Sequence, residues 1–316
     1  MIIGIMTVNG VDFHPNKRLI EAATHSGHKI LLINPYEITC TLDRGKIGFA
    51  QSSGFAGSAG FFMDLAGPIP HVVLPRQGSP MGEYGFVLLR HFVGMKIPLV
   101  NGIEGVTIAK NQYITLQALG AAGIEVPKSC FITRTPCFFK AVAHLGGFPV
   151  IAKQVDGMGG DGVVKIDTRD QAAAFLDAHL NPLKGMLVQK FIPPRGRQDV
   201  RLLVIGGRVA GAMVLEPPPG DFRANIHQKA RATAIDPPEE WVGLALEAAR
   251  VCCLEIAGVD MMVEKGRRPL VVEVNYSPGF RGLEAATGRD ISQEIIDYVI
   301  SRIRHKTPSA VKPHRL

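Results

Sequence analysis

Val150-Ile-Ala-Lys153-Gln-Val155-Asp-Gly157-Met-Gly159-Gly160-Asp-Gly162-Val163-Val-Lys-Ile166 is the run that separates the possible folds. Its centre matches G-x-G-x-x-G, which in a dinucleotide-binding unit follows a strand and opens a helix. Here apolar, β-branched residues lie on both sides, so the reading is strand, glycine loop, strand, and the dinucleotide fold is excluded. Such a flap can close its backbone N–H groups over phosphates. A protein kinase has a comparable flap, with its lysine on a later strand. In this chain Lys153 precedes the loop, and no H-R-D or D-F-G string follows. Lys153 stands in an apolar run, where an unpaired ammonium is costly, so a phosphate partner is expected. Taken alone, the segment also reads as a tight hairpin with a surface lysine.

A second pair of strands lies downstream. Val259-Asp260-Met-Met-Val263 and Leu270-Val-Val-Glu273-Val-Asn275 surround Lys265-Gly266-Arg267-Arg268. If those four residues form the turn, Glu264 pairs with Pro269, and counting back sets Asp260 opposite Glu273. Period two then places Asn275 on the same face as Glu273. Facing carboxylates repel unless a cation joins them, and hard oxygen ligands without Cys or His suit Mg²⁺. The plainer alternative is a sheet face open to water with ordinary surface acids.

A third signal is basic and polar. Asp199 and Arg201 share a strand face, and Arg223, Asn225 and His227 alternate through the segment from Asp221. Arginine suits bidentate binding of carboxylate or phosphate.

Outward from these segments, the first hundred residues read as an open α/β unit with a parallel sheet. Strands are expected over 2–8, 29–33, 72–75 and 98–101, and helices near 17–26 and 83–94. Residues 39–67 are rich in Gly, Ser and Ala and carry no clear period. An α+β region follows, with a helix over 108–122, strands over 126–133 and 150–155, and a helix after Pro136. A hairpin turns at Gly206-Gly207, and a helix is expected from Asp236 to about Ile256.

The 316 residues leave room for two or three small domains, and 46% hydrophobic with 20% charged is ordinary for a globular protein. The net charge of +7 is concentrated at the C-terminus: no acid follows Asp297, while Arg302, Arg304, Lys306, Lys312 and Arg315 are basic. That tail reads as a solvated terminus, and nothing resembling a nucleic-acid module accompanies it. The cysteines at 40, 130, 137, 252 and 253 lack metal-type spacing and fit a reduced, cytoplasmic protein. No apolar stretch reaches the length of a membrane span.

Several strings then take a recognisable order: Gly220-Asp-Phe-Arg-Ala-Asn-Ile-His227, Ala257-Gly-Val-Asp260, and Val272-Glu-Val-Asn-Tyr-Ser-Pro-Gly279 with Gly282 and Thr287-Gly288. In this order they resemble the ATP-grasp ligases related to ribosomal protein S6 modification protein, the alpha-L-glutamate ligases. The resemblance covers nearly the whole chain and is strongest over residues 102–296. It implies an α/β N-terminal domain followed by an α+β ATP-grasp fold, whose two subdomains clasp ATP. The expected division is 1–105, 106–194 with the flap, 195–303 with the metal site, and a basic tail over 304–316.

By the same resemblance, Lys153 and the loop of Gly157, Gly159, Gly160 and Gly162 meet the phosphates. Gln189, Lys190, Phe191 and Ile192 line the adenine, and Asp199, with Arg201 also on the nucleotide, holds the ribose region. Arg223 and Asn225 meet the transferring phosphate. Asp260, Glu273 and Asn275 hold two Mg²⁺ ions, for which Mn²⁺ can substitute. From position rather than resemblance, Arg76 at the end of a first-domain strand and Arg281 in the loop after the metal-binding strand are assigned, with Ser277, to an anionic acceptor. The sequence departs from the family where a usual lysine falls on Gln112, with Lys110 nearby, and where Lys190 replaces a usual acid. Tyr276 and Phe280-Arg281 also replace smaller or acidic residues toward the acceptor side.

The implied reaction has two steps. An acceptor carboxylate attacks the γ-phosphate of MgATP, giving an acyl phosphate and ADP. An amino acid amine, glutamate by expectation, then displaces phosphate and forms an amide. The acceptor is an acidic small molecule or a protein C-terminus, and a homo-oligomer without membrane or nucleic-acid partners is expected. The alternative is an ATP-grasp-like nucleotide-binding regulator with weakened catalysis.

Overall fold

Ile2–Met6 is an almost unbroken apolar run, the pattern of a strand covered on both faces, and it forms β1. A computed structural model describes residues 1–50, 69–78, 81–154, 162–223 and 230–304. After β1 comes α1 (His14–His25), with Pro15 in its first turn, where no N–H is needed. β2 (Lys29–Ile33) pairs with β1 in parallel. The first part of the stretch without period holds an antiparallel hairpin, β3 (Cys40–Asp43) with β4 (Lys46–Phe49). Residues 51–67 of that stretch lie outside the described residues. β5 (Val72–Pro75) completes a three-stranded parallel sheet in the order β2-β1-β5. α2 (Glu83–Gly94) packs against β4. The strand expected over 98–101 is reduced to a bridge between Val73 and Leu99.

The single helix expected over 108–122 is two, α3 (Ile103–Lys110) and α4 (Gln112–Ala121). Asn111 ends the first and caps the second, its Oδ1 accepting from Tyr113 N at 2.9 Å. Then come β6 (Ser129–Ile132), α5 (Thr135–Leu145), β7 (Val150–Gln154), β8 (Val163–Ile166), α6 (Arg169–His179) and β9 (Met186–Lys190). Their strands form an antiparallel sheet in the order β6-β9-β7-β8. On one face Phe138, Val142 and Leu176 pack with Val150, Ala152 and Val188. Strand alternation therefore turns Ile151 and Lys153 to the opposite face.

β10 (Arg197–Ile205) and β11 (Arg208–Glu216) turn at Gly206 and Gly207, whose φ values of 58° and 79° suit glycine. β12 (Arg231–Ile235), α7 (Glu239–Val251), β13 (Ile256–Glu264) and β14 (Leu270–Asn275) follow. An antiparallel sheet results, ordered β12-β11-β10-β13-β14. α7 is shorter than expected: its N-cap is Pro238, and the chain turns at Cys252 and Cys253 to enter β13. α3 packs so closely on that turn that a Cβ at Gly105 would lie 2.3 Å from the Cys253 carbonyl oxygen. α8 (Arg281–Thr287) packs on β11 and β12.

Compactness divides the chain into two units. One comprises Met1–Arg76, Glu83–Val100 and Asp290–Leu316; the other comprises Gln77–Gly82 and Asn101–Arg289. The last helix, α9 (Ile291–Arg304), belongs to the first unit, where it packs on α1 through a stripe that includes Ile295, Ile296 and Val299. No helix among the described residues is long and apolar enough to cross a membrane.

Candidate active site

Lys153 sits on the sheet face opposite the core that Phe138, Val142 and Leu176 build. Lys153 pairs with Val163 on one side and Leu187 on the other, while Ile151 pairs with Lys165 and Gln189. Cross-strand partners share a face, so Lys153, Lys165 and Gln189 point the same way. Burial lowers the Lys153 ammonium's pKa, and the nearby charges of Glu273 and Asp260 push it back up. Gly162 closes the loop at φ 76°, its carbonyl accepting from Gln154 N at 3.1 Å. Gly157, Gly159 and Gly160 lie outside the described residues.

The carboxylates of the second hairpin meet as expected: Asp260 is the cross-strand partner of Glu273. The route to that pairing differs from a simple count. Near the tip, Met262 pairs with Leu270 and Met261 with Val271, one residue off the expected register. A β-bulge at Val272 restores the offset before Glu273. Val272 has no partner residue in the β13–β14 ladder, and its carbonyl accepts from Gln112 Nε2 at 3.1 Å.

Arg201 on β10 is the partner of Asp260 on its other side, giving a row of Arg201, Asp260 and Glu273 across three strands. Arg201 donates Nε to Asp260 Oδ1 at 2.5 Å and Nη2 to Oδ2 at 2.6 Å. Asn275 Nδ2 donates to the same Oδ2 at 3.4 Å. Burial opposes the Arg201 charge, but Asp260 outweighs it and holds the guanidinium firmly protonated. Burial and then Asp260 raise the Glu273 pKa, against the pull of Lys153 and Arg201. Among the described residues no trio of His, Cys, Asp and Glu is grouped to hold a metal ion. The set here is two carboxylates and an amide oxygen, all hard donors. It fits Mg²⁺, because ionising both neighbouring carboxylates in a half-buried site calls for added positive charge.

Two pairings escaped the sequence reading. Arg197 Nη2 donates to Asp199 Oδ2 at 3.1 Å and to the Phe222 carbonyl at 2.9 Å, and Nη1 donates to the Ile192 carbonyl. Asp199, expected on the ribose, is thus held by Arg197. Burial pushes its pKa up while Arg197 pulls it down. Arg223 is likewise held by Asp221, with Nη2 2.9 Å from Oδ2. The strand spacing of Arg197 and Asp199 was a usable signal; that of Asp221 and Arg223 lies in a loop, where period says little. Asn225 and His227 lie outside the described residues.

Gln189 is 3% exposed and donates to Ser129 Oγ at 2.9 Å. Lys190, Phe191 and Ile192 line a cavity of about 300 Å³ with Pro127, Lys128 and Leu270. The Phe191 ring lies 4.9 Å from Lys165 Nζ and 5.9 Å from the Phe222 ring. Ser277 is half-buried, and Arg281 is exposed at the first residue of α8. Tyr276 and Phe280 are buried, 4% and 0% exposed. Tyr276 donates its hydroxyl to the Gly78 carbonyl at 2.5 Å. Arg76 lies in the first unit, at the end of β5, where its N–H donates to the Met6 carbonyl at 2.9 Å.

Residues 109–299 match the family described as RimK-like ATP-grasp domain. A protein of Shewanella amazonensis named probable alpha-L-glutamate ligase 1 is 33% identical over 299 residues, covering 95% of this chain and 95% of its own. The crystal structure of a RimK domain ATP-grasp protein from Sphaerobacter thermophilus superposes with a TM-score of 0.68 at 26% identity, over 95% of this chain and 100% of its own. The ATP-grasp ligase PsnB, solved with a precursor variant, Mg and ADP, gives 0.70 at 20% identity, over 95% and 98%.

Proposed function

The chain belongs to the RimK-like ATP-grasp family, and from that premise we propose that the row Arg201–Asp260–Glu273 is the metal-binding wall of its active site. The protein is an ATP-dependent carboxylate–amine ligase. The observation that carries the site is the juxtaposition of two cross-strand carboxylates with Arg201 bound to one and Lys153 in electrostatic reach of both. Relatives named as ligases favour catalysis over a purely regulatory nucleotide-binding role.

Asp260, Glu273 and Asn275 would hold Mg²⁺, two ions in the full reading, with Mn²⁺ able to replace it. When bound, the metal supplies Lewis-acid neutralisation of phosphate charge. Arg201 orients the Asp260 carboxylate through both of its oxygens. Lys153 and the Gly157, Gly159, Gly160 and Gly162 loop would take the phosphates. Gln189, Lys190, Phe191 and Ile192 would flank the adenine, and Asp199, oriented by Arg197, the ribose. Arg223, steadied by Asp221, and Asn225 would meet charge developing on the transferred phosphoryl group. Ser277 and Arg281 are proposed to hold the anionic acceptor, and the same role is proposed for Arg76.

The amine is proposed to be glutamate, because the similar ligases carry that name. The acceptor is proposed to be an acidic small molecule or a protein C-terminus. A cytoplasmic homo-oligomer completes the reading, on sequence grounds alone. The test is a screen of ADP release with MgATP, L-glutamate and a panel of small acids and peptides ending in acidic residues. ADP release requiring both an acid and an amine supports the reading; ADP release indifferent to both rejects it.

A further inference from the structure

We infer that Gln112 is a positioning residue, which sets the metal-binding face of β14 by fixing the bulge at Val272. The inference rests on the proposed role of Glu273 and adds how that residue is brought to its place.

Three observations carry it. The register of β13 and β14 changes by one residue between Met261 and Asp260, and Val272 is the residue skipped. Without that extra residue, the tip register would set Asp260 opposite Val272 and turn Glu273 to the other face. The bulge therefore decides whether Glu273 meets Asp260. Second, a bulged peptide leaves the regular ladder, and here the Val272 carbonyl receives the Gln112 amide at 3.1 Å. Third, Gln112 is anchored: it is the first residue of α4, directly after Asn111, whose side chain caps that helix at Tyr113 N and Ile114 N. The neighbouring backbone is also tied, since Val271 N donates to the Glu125 carbonyl at 2.9 Å. A capped helix start on one side and a loop carbonyl on the other thus hold the edge of β14 at its irregular point. A side chain spent on a backbone carbonyl 160 residues away in sequence acts on strand geometry.

The experiment compares the full-length protein with Gln112→Leu, which keeps bulk and loses the donor, and Gln112→Lys, which restores a donor. ADP binding is titrated calorimetrically with Mg²⁺ and in EDTA, and amide exchange is followed over residues 270–276. Gln112→Leu should raise the Mg²⁺ concentration for half-maximal ADP binding about three- to tenfold, the worth of one such hydrogen bond. ADP affinity in EDTA should stay unchanged, exchange at Val272 and Glu273 should quicken, and Gln112→Lys should recover part of both effects. Equal loss of ADP affinity with and without Mg²⁺ would mean that Gln112 touches the nucleotide, and would overturn the inference. So would unaltered exchange over 270–276 in Gln112→Leu. Glu273→Ala separates the two readings: if it keeps wild-type Mg²⁺ dependence, the metal assignment fails, while exchange still decides the brace. If Gln112→Leu does not fold, Gln112→Lys with slowed, wild-type-like exchange supports the brace, and fast exchange in it rejects it.

Discussion

Arg201 grips both carboxylate oxygens of Asp260, at 2.5 and 2.6 Å, from the adjacent strand. The pair is mostly withdrawn from solvent, with side chains 17% and 20% exposed. Removing the guanidinium would leave Asp260 beside Glu273 with one cation fewer. Arg201→Met should therefore lower stability by about 3 kcal/mol in urea unfolding. Adding Asp260→Asn to it should recover part of the loss. A single variant as stable as the wild type would mean the pair contributes nothing to this wall.

Asp221 and Arg223 make a prediction about pH. The side-chain hydrogen bonds from Arg223 are the main cause that holds the Asp221 carboxyl below its ordinary range. A folded pKa below the unfolded one contributes stability that is present above about pH 4 and lost as pH falls through the folded value. Carbon NMR should find the Asp221 midpoint below that of exposed aspartates, and Arg223→Ala should move it upward. An unmoved midpoint would separate the two residues.

Asn101 joins the ends of the two strands that carry the carboxylates. Its Oδ1 accepts from Glu255 N and Ile256 N, both at 2.7 Å. Its Nδ2 donates to the carbonyls of Ile256 and Tyr276, at 2.7 and 2.8 Å. The amide is 2% exposed and uses its full bonding capacity. Asn101→Ala would strand buried backbone groups and should cost about 3 kcal/mol or more. Faster amide exchange at Glu255 and Ile256 is the measurement, and unchanged exchange would discount the clamp.

Asp260 and Glu273 could be read in advance because an antiparallel hairpin has period two and few possible registers. That count met the right pair only because the Val272 bulge makes up one residue, and nothing in Leu270-Val-Val-Glu273 marks a bulge. Arg197 pairs with Asp199 two residues along the same strand, a spacing that was there to be read, whereas the partner of Asp221 is set by a loop path, which hydrophobic period does not record. The β3–β4 hairpin was missed for a related reason: exposed Leu42 and Ile47 blur the alternation that marks a strand. Asn111 splits the expected helix into two by its cap, a local signal outweighed by the run of helix formers around it. The larger Tyr276 in place of a small family residue has a packing reason that sequence alone does not show: its ring is buried and its hydroxyl serves a backbone carbonyl.

The ligase assignment predicts that the acceptor carboxylate itself attacks phosphorus, which ties the chemistry to the acid rather than to water. The direct measurement uses the acceptor found by ADP release, with its carboxylate oxygens isotopically labelled, together with MgATP and L-glutamate. Mass spectrometry of the released phosphate should find one labelled oxygen transferred for each amide formed, and Glu273→Ala should form neither product. Amide formed with unlabelled phosphate, or with the label in AMP, would contradict the account.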